Sequence, residues 1–297
     1  MARDRLSTSF LPETDAAWAV LAALLAAAVF GNTLAGGFVR SDFQLLAENP
    51  LLSAWSSLPA LLLGRPWEGP LGTEIAPPAY RPLAMLSYFL SCQSAGPAPW
   101  VQHLVNTALY AADCALLFLV GRRFCSRRTA FAAACLFAVL PVHCSVVAYA
   151  SERGELLLLL FLLLAWRELG RRRPRPWPGF LYYGLALASR EQALLFPILL
   201  ALQDWVFLRR RFWHPPRRWV HLSAAGMSLS WLVLGRWISG GAAAGAPDYF
   251  EGLSYPVRLL TMARFSLSHY AFPLVSGTGL QGDYARPFFP DSRPADL

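Results

Sequence analysis

The 297-residue chain is 56% hydrophobic and only 15% charged, against roughly 25% charged residues in a soluble domain, which excludes an ordinary soluble protein. Its formal net charge of +8 is explained by arginine-rich loops that orient a membrane chain, so no nucleic-acid partner is implied. The 5 cysteines (Cys92, Cys114, Cys125, Cys135 and Cys144) form no CxxC pair, which excludes a disulfide framework or a zinc site and leaves them as small hydrophobes.

The first apolar run, 16–35, matches the about 20 residues that cross about 30 Å of hydrocarbon. It is too long for the core of a cleaved signal peptide and has no small-x-small site after it, so a retained first helix is expected. A loop over 36–100 follows. It carries Arg40, Arg65 and Arg81 with Asp42, Glu48, Glu68 and Glu74, without the cationic excess of a cytoplasmic loop. Within it, 82–91 is apolar but too short to span, and it is expected to form an interfacial or re-entrant helix.

Further spans are expected at 101–120, 129–148, 153–167, 178–190, 193–208 and 219–238, with Pro197 interrupting the sixth of the seven. A Gly/Ala-rich loop at 240–247 leads to an apolar helix at 255–275. That helix carries Arg258, Arg264 and His269 and is compatible with spanning or with lying in the interface. The expectation is an all-α polytopic transmembrane bundle of about seven or eight spans. It occupies 1–276, with interfacial helices in the first extracytoplasmic loop and a polar tail at 277–297.

Lysine is absent, and arginine gathers in three clusters: Arg122, Arg123, Arg127 and Arg128; Arg167, Arg171, Arg172, Arg173 and Arg175; and Arg209, Arg210, Arg211, Arg217 and Arg218. Two expected spans separate each cluster from the next, so all three fall on one membrane face, the cytoplasmic one. The loop 36–100 then lies outside.

Charged groups near the membrane and outside the orienting clusters are candidates for function. Four sets gather toward the extracytoplasmic face. Asp42, with Glu48-Asn49-Pro50 after it, is either a solvated loop acid, a helix cap or a catalytic acid. In Tyr80-Arg81-Pro82, the Arg81 fork is suited either to a lipid head group or to a phosphate. His143 precedes Ser151-Glu152-Arg153, where Glu152 and Arg153 either pair with each other or serve a site. Arg190, in a turn outside the cytoplasmic face, runs against the charge rule and calls for a partner, which an anionic head group or a diphosphate would supply. No inverted repeat and no charge near the midplane are evident, which disfavours a transporter.

Several short motifs occur in order: Gly37-Phe38-Val39 with Asp42 and Asn49-Pro50; Tyr80-Arg81-Pro82-Leu83; His103-Leu104-Val105-Asn106; Pro141-Val142-His143; Ser151-Glu152-Arg153; Arg190-Glu191 with Asp204-Trp205; and Asp283-Tyr284. In this the chain resembles GT-C superfamily glycosyltransferases. Within them it is most similar to protein O-mannosyltransferase relatives that carry transmembrane and tetratricopeptide-repeat regions. The resemblance implies a membrane enzyme that moves a mannose-like sugar from a polyisoprenyl-phosphate donor to a protein or glycan hydroxyl on the extracytoplasmic side. Asp42 then matches the catalytic acid. Arg81, Arg153 and Arg190 match positions near the donor phosphate, with Tyr80, Glu48, His143, Glu152 and Asp283 as further substrate contacts. It indicates no metal ligands and no firm cofactor, although a divalent metal is compatible with the chemistry.

Two departures stand out. The family often has two adjacent acids where this chain has Ser41 before Asp42, and a lysine is usual at the position of Arg190. Relatives also continue beyond Asp283-Tyr284 with further spans. The alternative expectation is therefore a truncated, non-catalytic membrane partner derived from such an enzyme, or a part that needs another chain to supply the remaining spans. A bacterial inner membrane is the expected location, or the endoplasmic reticulum membrane in a eukaryote.

Overall fold

The computed structural model describes residues 14–39, 41–64, 67–68, 74–75, 80–171, 173–206, 217–238, 254–265 and 267–268. Arg40, Arg65, Arg172, Arg209, Arg210, Arg211, His269 and Asp283 lie outside the described residues, as do the side chains of Glu68 and Glu74, the loop 240–247 and the tail 277–297. The chain divides into two units. One is Met1–Val139 with Val146–Ala244, and the other is Leu140–Ser145 with Gly245–Leu297.

The described residues form an all-α protein apart from one short antiparallel pairing, Trp67–Glu68 with Glu74–Ile75. Helix α1 (Asp15–Phe30) is set by Thr14, whose hydroxyl accepts the Ala17 N–H at 3.3 Å, and by Asp15 in its positive first turn. It runs on as a 3-10 turn to Ala35. The first loop holds a π-helical turn (Phe43–Ala47), a 3-10 turn (Pro50–Leu52) capped by Asn49, and the short α2 (Leu58–Leu62). Leu46, Leu52 and Leu61 pack these pieces onto α3 (Pro82–Ala95) at Ala84, Met85 and Tyr88. Helix α3 is the short helix expected inside the loop. Pro82 starts it and Gly96, at φ 70°, ends it in a conformation that suits glycine.

Helix α4 (Pro99–Gly121) packs along α1 and α5 (Arg127–Val139), through Trp18, Ala22, Phe118 and Ala134. A 3-10 turn and α6 (Cys144–Ala148) follow. Helices α7 (Arg153–Leu169), α8 (Pro176–Ser189), α9 (Phe196–Val206) and α10 (Arg217–Ile238) share a second core of Leu169, Tyr183, Phe196, Leu200 and Ala224. Pro197 is the second residue of α9, behind a 3-10 turn (Glu191–Leu195). Proline is tolerated in a first turn, so it starts this helix where an interruption was expected. The second unit carries α11 (Tyr255–Phe265), in the apolar run 255–275 whose later part lies largely outside the described residues.

Among the described residues, each expected apolar segment contains helix. Two of these are long and apolar enough to cross a membrane: Asp15–Ala35 (21 residues) and Pro99–Gly121 (23 residues). Arg127–Val139 and Pro141–Ala148 make a third if they form one span bent by 52°. The outer faces fit a hydrocarbon solvent. Leu24, Ile198, Leu229 and Val233 are 59%, 65%, 63% and 61% exposed, a pattern a water-soluble bundle avoids. Five exposed tryptophans sit toward helix ends, where aromatic side chains suit a membrane–water boundary: Trp177, Trp205 and Trp219 at one end, Trp100 and Trp237 at the other. The chain has the features of a membrane protein.

Candidate functional site

The two ends of the first unit differ in chemistry, and hydrogen bonds define each. At one end the arginine clusters meet. Arg122 and Arg127 both bond Asp15 Oδ1, at 3.2 and 2.7 Å, and Arg123 reaches the Trp166 carbonyl. Arg217 donates to the Leu169 and Arg171 carbonyls, covering acceptors that the C-terminus of α7 leaves without helical partners. Arg217 also grips buried Asp204 with both sides of its fork, and His221 Nε2 lies 2.9 Å from the same carboxylate.

The other end is built on the turn Tyr149–Arg153. Asp42 reaches it from the first loop: Oδ1 accepts the Ser151 N–H at 2.8 Å, and Oδ2 accepts the N–H groups of Ala150 (3.3 Å) and Val39 (3.2 Å). Asp42 is 0% exposed. The solvated acid considered from sequence is therefore corrected. So is the side-chain cap: Asp42 stands at the start of the π-helical turn, but its carboxylate makes no capping bond there. The carboxylate instead ties the loop to a turn more than a hundred residues away. Ser41 Oγ lies 2.9 Å from Ser151 Oγ beside it. Tyr88 donates to the Ser151 carbonyl and Asn106 to that of Tyr149, so α3 and α4 hold the same turn.

Arg153 points inward. Nε bonds Asn106 Oδ1 (2.9 Å). Nη1 bonds the Ser87 carbonyl and Ser91 Oγ, and Nη2 bonds the carbonyl and Oε1 of Gln102. These acceptors match the five N–H groups a guanidinium carries, and the cation also lies 4.7 Å from the centre of the Tyr88 ring. It is 0% exposed. Arg153 thus locks α3, α4 and α7 together through neutral partners. It does not pair with Glu152.

Glu152 faces the other way and accepts from Arg190 Nη1 at 2.5 Å. Arg190 Nε lies 3.2 Å from Glu155 Oε1, so two carboxylates flank this cation. In place of the head group or diphosphate expected for Arg190, its anionic partners are Glu152 and Glu155 of the chain itself. A Cβ on Gly154 would meet the Ser189 carbonyl at 3.2 Å and Arg190 Cδ at 3.7 Å, so glycine lets the Ser189–Gln192 turn settle closely on α7. Arg81 reaches the same turn: Nε and Nη2 bond the two oxygens of Glu191 at 2.9 and 2.7 Å. Arg81 and Arg190, 109 positions apart, thereby come to one place. Burial alone would push the Glu191 carboxyl up, but the Arg81 bonds outweigh it and hold the group below the usual carboxylate range.

The remaining expected residues are placed more loosely. Tyr80 stacks on Trp231 of α10, with ring centres 5.5 Å apart. Glu48 ends the π-helical turn and is exposed. His143 lies in the second unit, in the 3-10 turn Pro141–His143. Among the described residues no group of carboxylates, histidines and cysteines fits a metal ion.

One residue escaped the sequence reading. Asp113 sits near the middle of α4, is 0% exposed, and neither carboxylate oxygen has a hydrogen-bond partner among the described residues. The expectation that no charged residue lies near the midplane is corrected by it. Gln102, Asn106 and Asp113 share one helical face, and this spacing could have exposed the polar stripe inside an apolar run.

Several proteins share this sequence pattern. Protein O-mannosyl-transferase TMTC3 of Mus musculus is 34% identical over 140 residues, 47% of this chain and 15% of that protein. Protein O-mannosyl-transferase Tmtc1 of Drosophila melanogaster is 34% identical over 186 residues, 61% and 22% of the two chains. The fly Tmtc2 is 31% identical over 195 residues, 61% and 21%. The chain resembles protein O-mannosyl-transferases. That likeness is what the ordered motifs led us to expect. The chain spans 15% to 22% of the length of these relatives. No protein-family model and no solved structure matches it.

Proposed function

We propose that this chain is the membrane part of a multi-pass glycosyltransferase that moves a mannose-like sugar from a polyisoprenyl-phosphate donor to a protein or glycan hydroxyl. The observation that carries the reading is a run of contacts that starts with Asp42 on the Tyr149–Arg153 turn, passes through Glu152 to Arg190, and ends at the adjacent Glu191 gripped by Arg81, in a chain similar to proteins named O-mannosyl-transferases. The orientation follows from the gathering of the arginine clusters at the opposite end, which is the cytoplasmic one. The site then faces outward. The membrane is the bacterial inner membrane, or that of the endoplasmic reticulum in a eukaryote.

Arg81 and Arg190 are assigned to the donor phosphate, for which their planar forks are suited. In the transfer, the acceptor oxygen bonds the anomeric carbon as the bond from that carbon to the phosphate oxygen breaks. The electron pair leaves on the phosphate, and the hydroxyl proton passes to a carboxylate, assigned to Asp42. Three of its about four acceptor positions are taken by backbone N–H groups, which leaves one on Oδ1. Such proton removal contributes about 10²–10⁴-fold. Arg153, with every N–H engaged, is a positioning residue.

A second reading rests on the burial of Asp42. If its carboxylate only anchors the turn, the chain is a non-catalytic membrane partner derived from such an enzyme. Incubating the purified protein with polyisoprenyl-phosphate mannose and an acceptor peptide separates the two. Release of lipid phosphate that is lost in Asp42→Asn supports the enzyme. Donor binding without release supports the partner.

A further inference from the structure

We propose that Glu191 is an exchangeable occupant of the Arg81 fork, so that the site accepts a singly charged phosphodiester in its place and disfavours diphosphates and phosphomonoesters. The inference rests on the assignment of Arg81 to the donor phosphate and goes further, because it says what the phosphate displaces and which charge state the site selects.

The geometry is that of a phosphate clamp filled by a carboxylate. Arg81 offers Nε and Nη2 side by side, and Glu191 takes both at 2.9 and 2.7 Å. Two phosphate oxygens engage the same fork in the same bidentate way. The cation is the sheltered member and the anion the open one: the Arg81 side chain is 19% exposed and that of Glu191 48%. Glu191 begins a 3-10 turn, so its side chain can swing outward while the backbone stays in place. By contrast, Asp204 at the opposite end is 1% exposed and is held by both Arg217 and His221, which leaves it no comparable exit.

Charge decides which anion can enter. The cluster contains two cations, Arg81 and Arg190, and three carboxylates, Glu152, Glu155 and Glu191. Asp42, bonded to the Ser151 N–H, and Arg153, next to Glu152 in sequence, add one charge of each sign. A phosphodiester carries one negative charge, so replacing the Glu191 carboxylate on Arg81 leaves the fork's own balance unchanged. A diphosphate brings at least one more negative charge beside Glu152 and Glu155. After sugar transfer the donor becomes a phosphomonoester, which carries about −1.5 to −2 at neutral pH. The product therefore fits the cluster less well than the donor, and Glu191 can return to Arg81 as it leaves.

The test measures binding of three probes to the full chain in lipid nanodiscs: an isoprenyl-phosphate mannose, the isoprenyl monophosphate and the isoprenyl diphosphate. Wild type should prefer the diester by about tenfold, the effect of roughly 1.4 kcal/mol. Glu191→Gln should bind all three more tightly, with the largest gain for the diphosphate, and Glu191→Asp should restore the discrimination. Melting curves confirm that each variant is folded. Weakened binding of every probe by Arg81→Gln with no change in Glu191→Gln would overturn the exchange alone. Unchanged binding in Arg81→Gln would overturn the phosphate assignment beneath it. Phosphatidylglycerol is a phosphodiester without the sugar or the isoprenyl chain. If it competes as well as the mannose donor, the exchange stands and the ligand is a lipid head group, against the donor assignment.

Discussion

Asp42 and Ser151 stand 109 positions apart in sequence, and the Asp42 carboxylate accepts the Ser151 N–H at 2.8 Å. This bond joins the first loop to the turn that presents Glu152 outward and Arg153 inward. The acid of the loop is thereby tied to the turn whose Glu152 pairs with Arg190. Asp42→Asn replaces one acceptor oxygen by a donor group, and so sets it against a backbone N–H. Hydrogen bonds to a charged group are worth about 1.5–3 kcal/mol each, so the variant should lose roughly that much stability as well as turnover. Thermal unfolding in nanodiscs measures the first effect. An unchanged melting curve would show that the carboxylate does not hold the turn.

Arg153 should prove more sensitive to conservative replacement than any surface arginine. Lysine has three donors on a flexible stem and cannot reproduce a planar five-donor fork. Arg153→Lys therefore strands buried acceptors on Ser91, Gln102 and Asn106 and should cost roughly 2–4 kcal/mol. Binding of the donor, normalised to folded protein, should change little. A large loss of affinity in a fully stable variant would place Arg153 in contact with the ligand.

Asp113 offers a test of opposite sign. Its carboxyl has no hydrogen-bond partner among the described residues although it is buried in α4, and an unsatisfied buried polar group costs about 1–3 kcal/mol. Asp113→Leu should raise the midpoint of thermal unfolding. A lowered midpoint would mean that the carboxyl contributes to packing. Raised stability with lost turnover would mark it as a functional group in the membrane.

Acid should loosen the Arg81–Glu191 contact. The Glu191 carboxyl is held below its usual range, so its contribution is complete above the ordinary glutamate value and is lost as pH falls through the depressed one. Because the Glu191 side chain is 48% exposed, solvent screening limits the pair to within about 1 kcal/mol. The stability gap between wild type and Arg81→Gln, followed by urea titration, should close on acidification. A gap that widens in acid would contradict the pairing.

Much of this architecture could be read from hydropathy and charge. Apolar runs located the longer helices because a lipid-facing helix keeps its exposed face apolar, although only two of those described, or three with a bent pair, are long and apolar enough to cross a membrane. The arginine clusters anticipated which helix ends would meet. Proline was informative only with its position in the turn: Pro82, Pro99 and Pro197 all start helices, although Pro197 reads as a break in an apolar run. What sequence could not convey was the partner of each charge. Glu152 and Arg153 are neighbours that face opposite ways, because successive residues at a helix start point in different directions. Arg190 finds its carboxylates on another helix, and Asp113 disappears inside an apolar average.

Orientation is open to direct measurement. Single cysteines at Gly72 and Pro174, introduced into a chain whose native cysteines have been replaced, should react with an impermeant maleimide from opposite sides of the membrane. Labelling of both from the same side would contradict an outward-facing site opposite the arginine clusters.

The central claim is glycosyl transfer from a lipid phosphate. Transfer with Asp42 as the base and Arg81 and Arg190 on the phosphate is tested most directly by following lipid phosphate released from polyisoprenyl-phosphate mannose, in the presence of an acceptor peptide, by the folded chain. The account predicts release by wild type, loss of release with retained donor binding in Asp42→Asn, and weakened donor binding in Arg81→Gln. Equal release by all three proteins would contradict it.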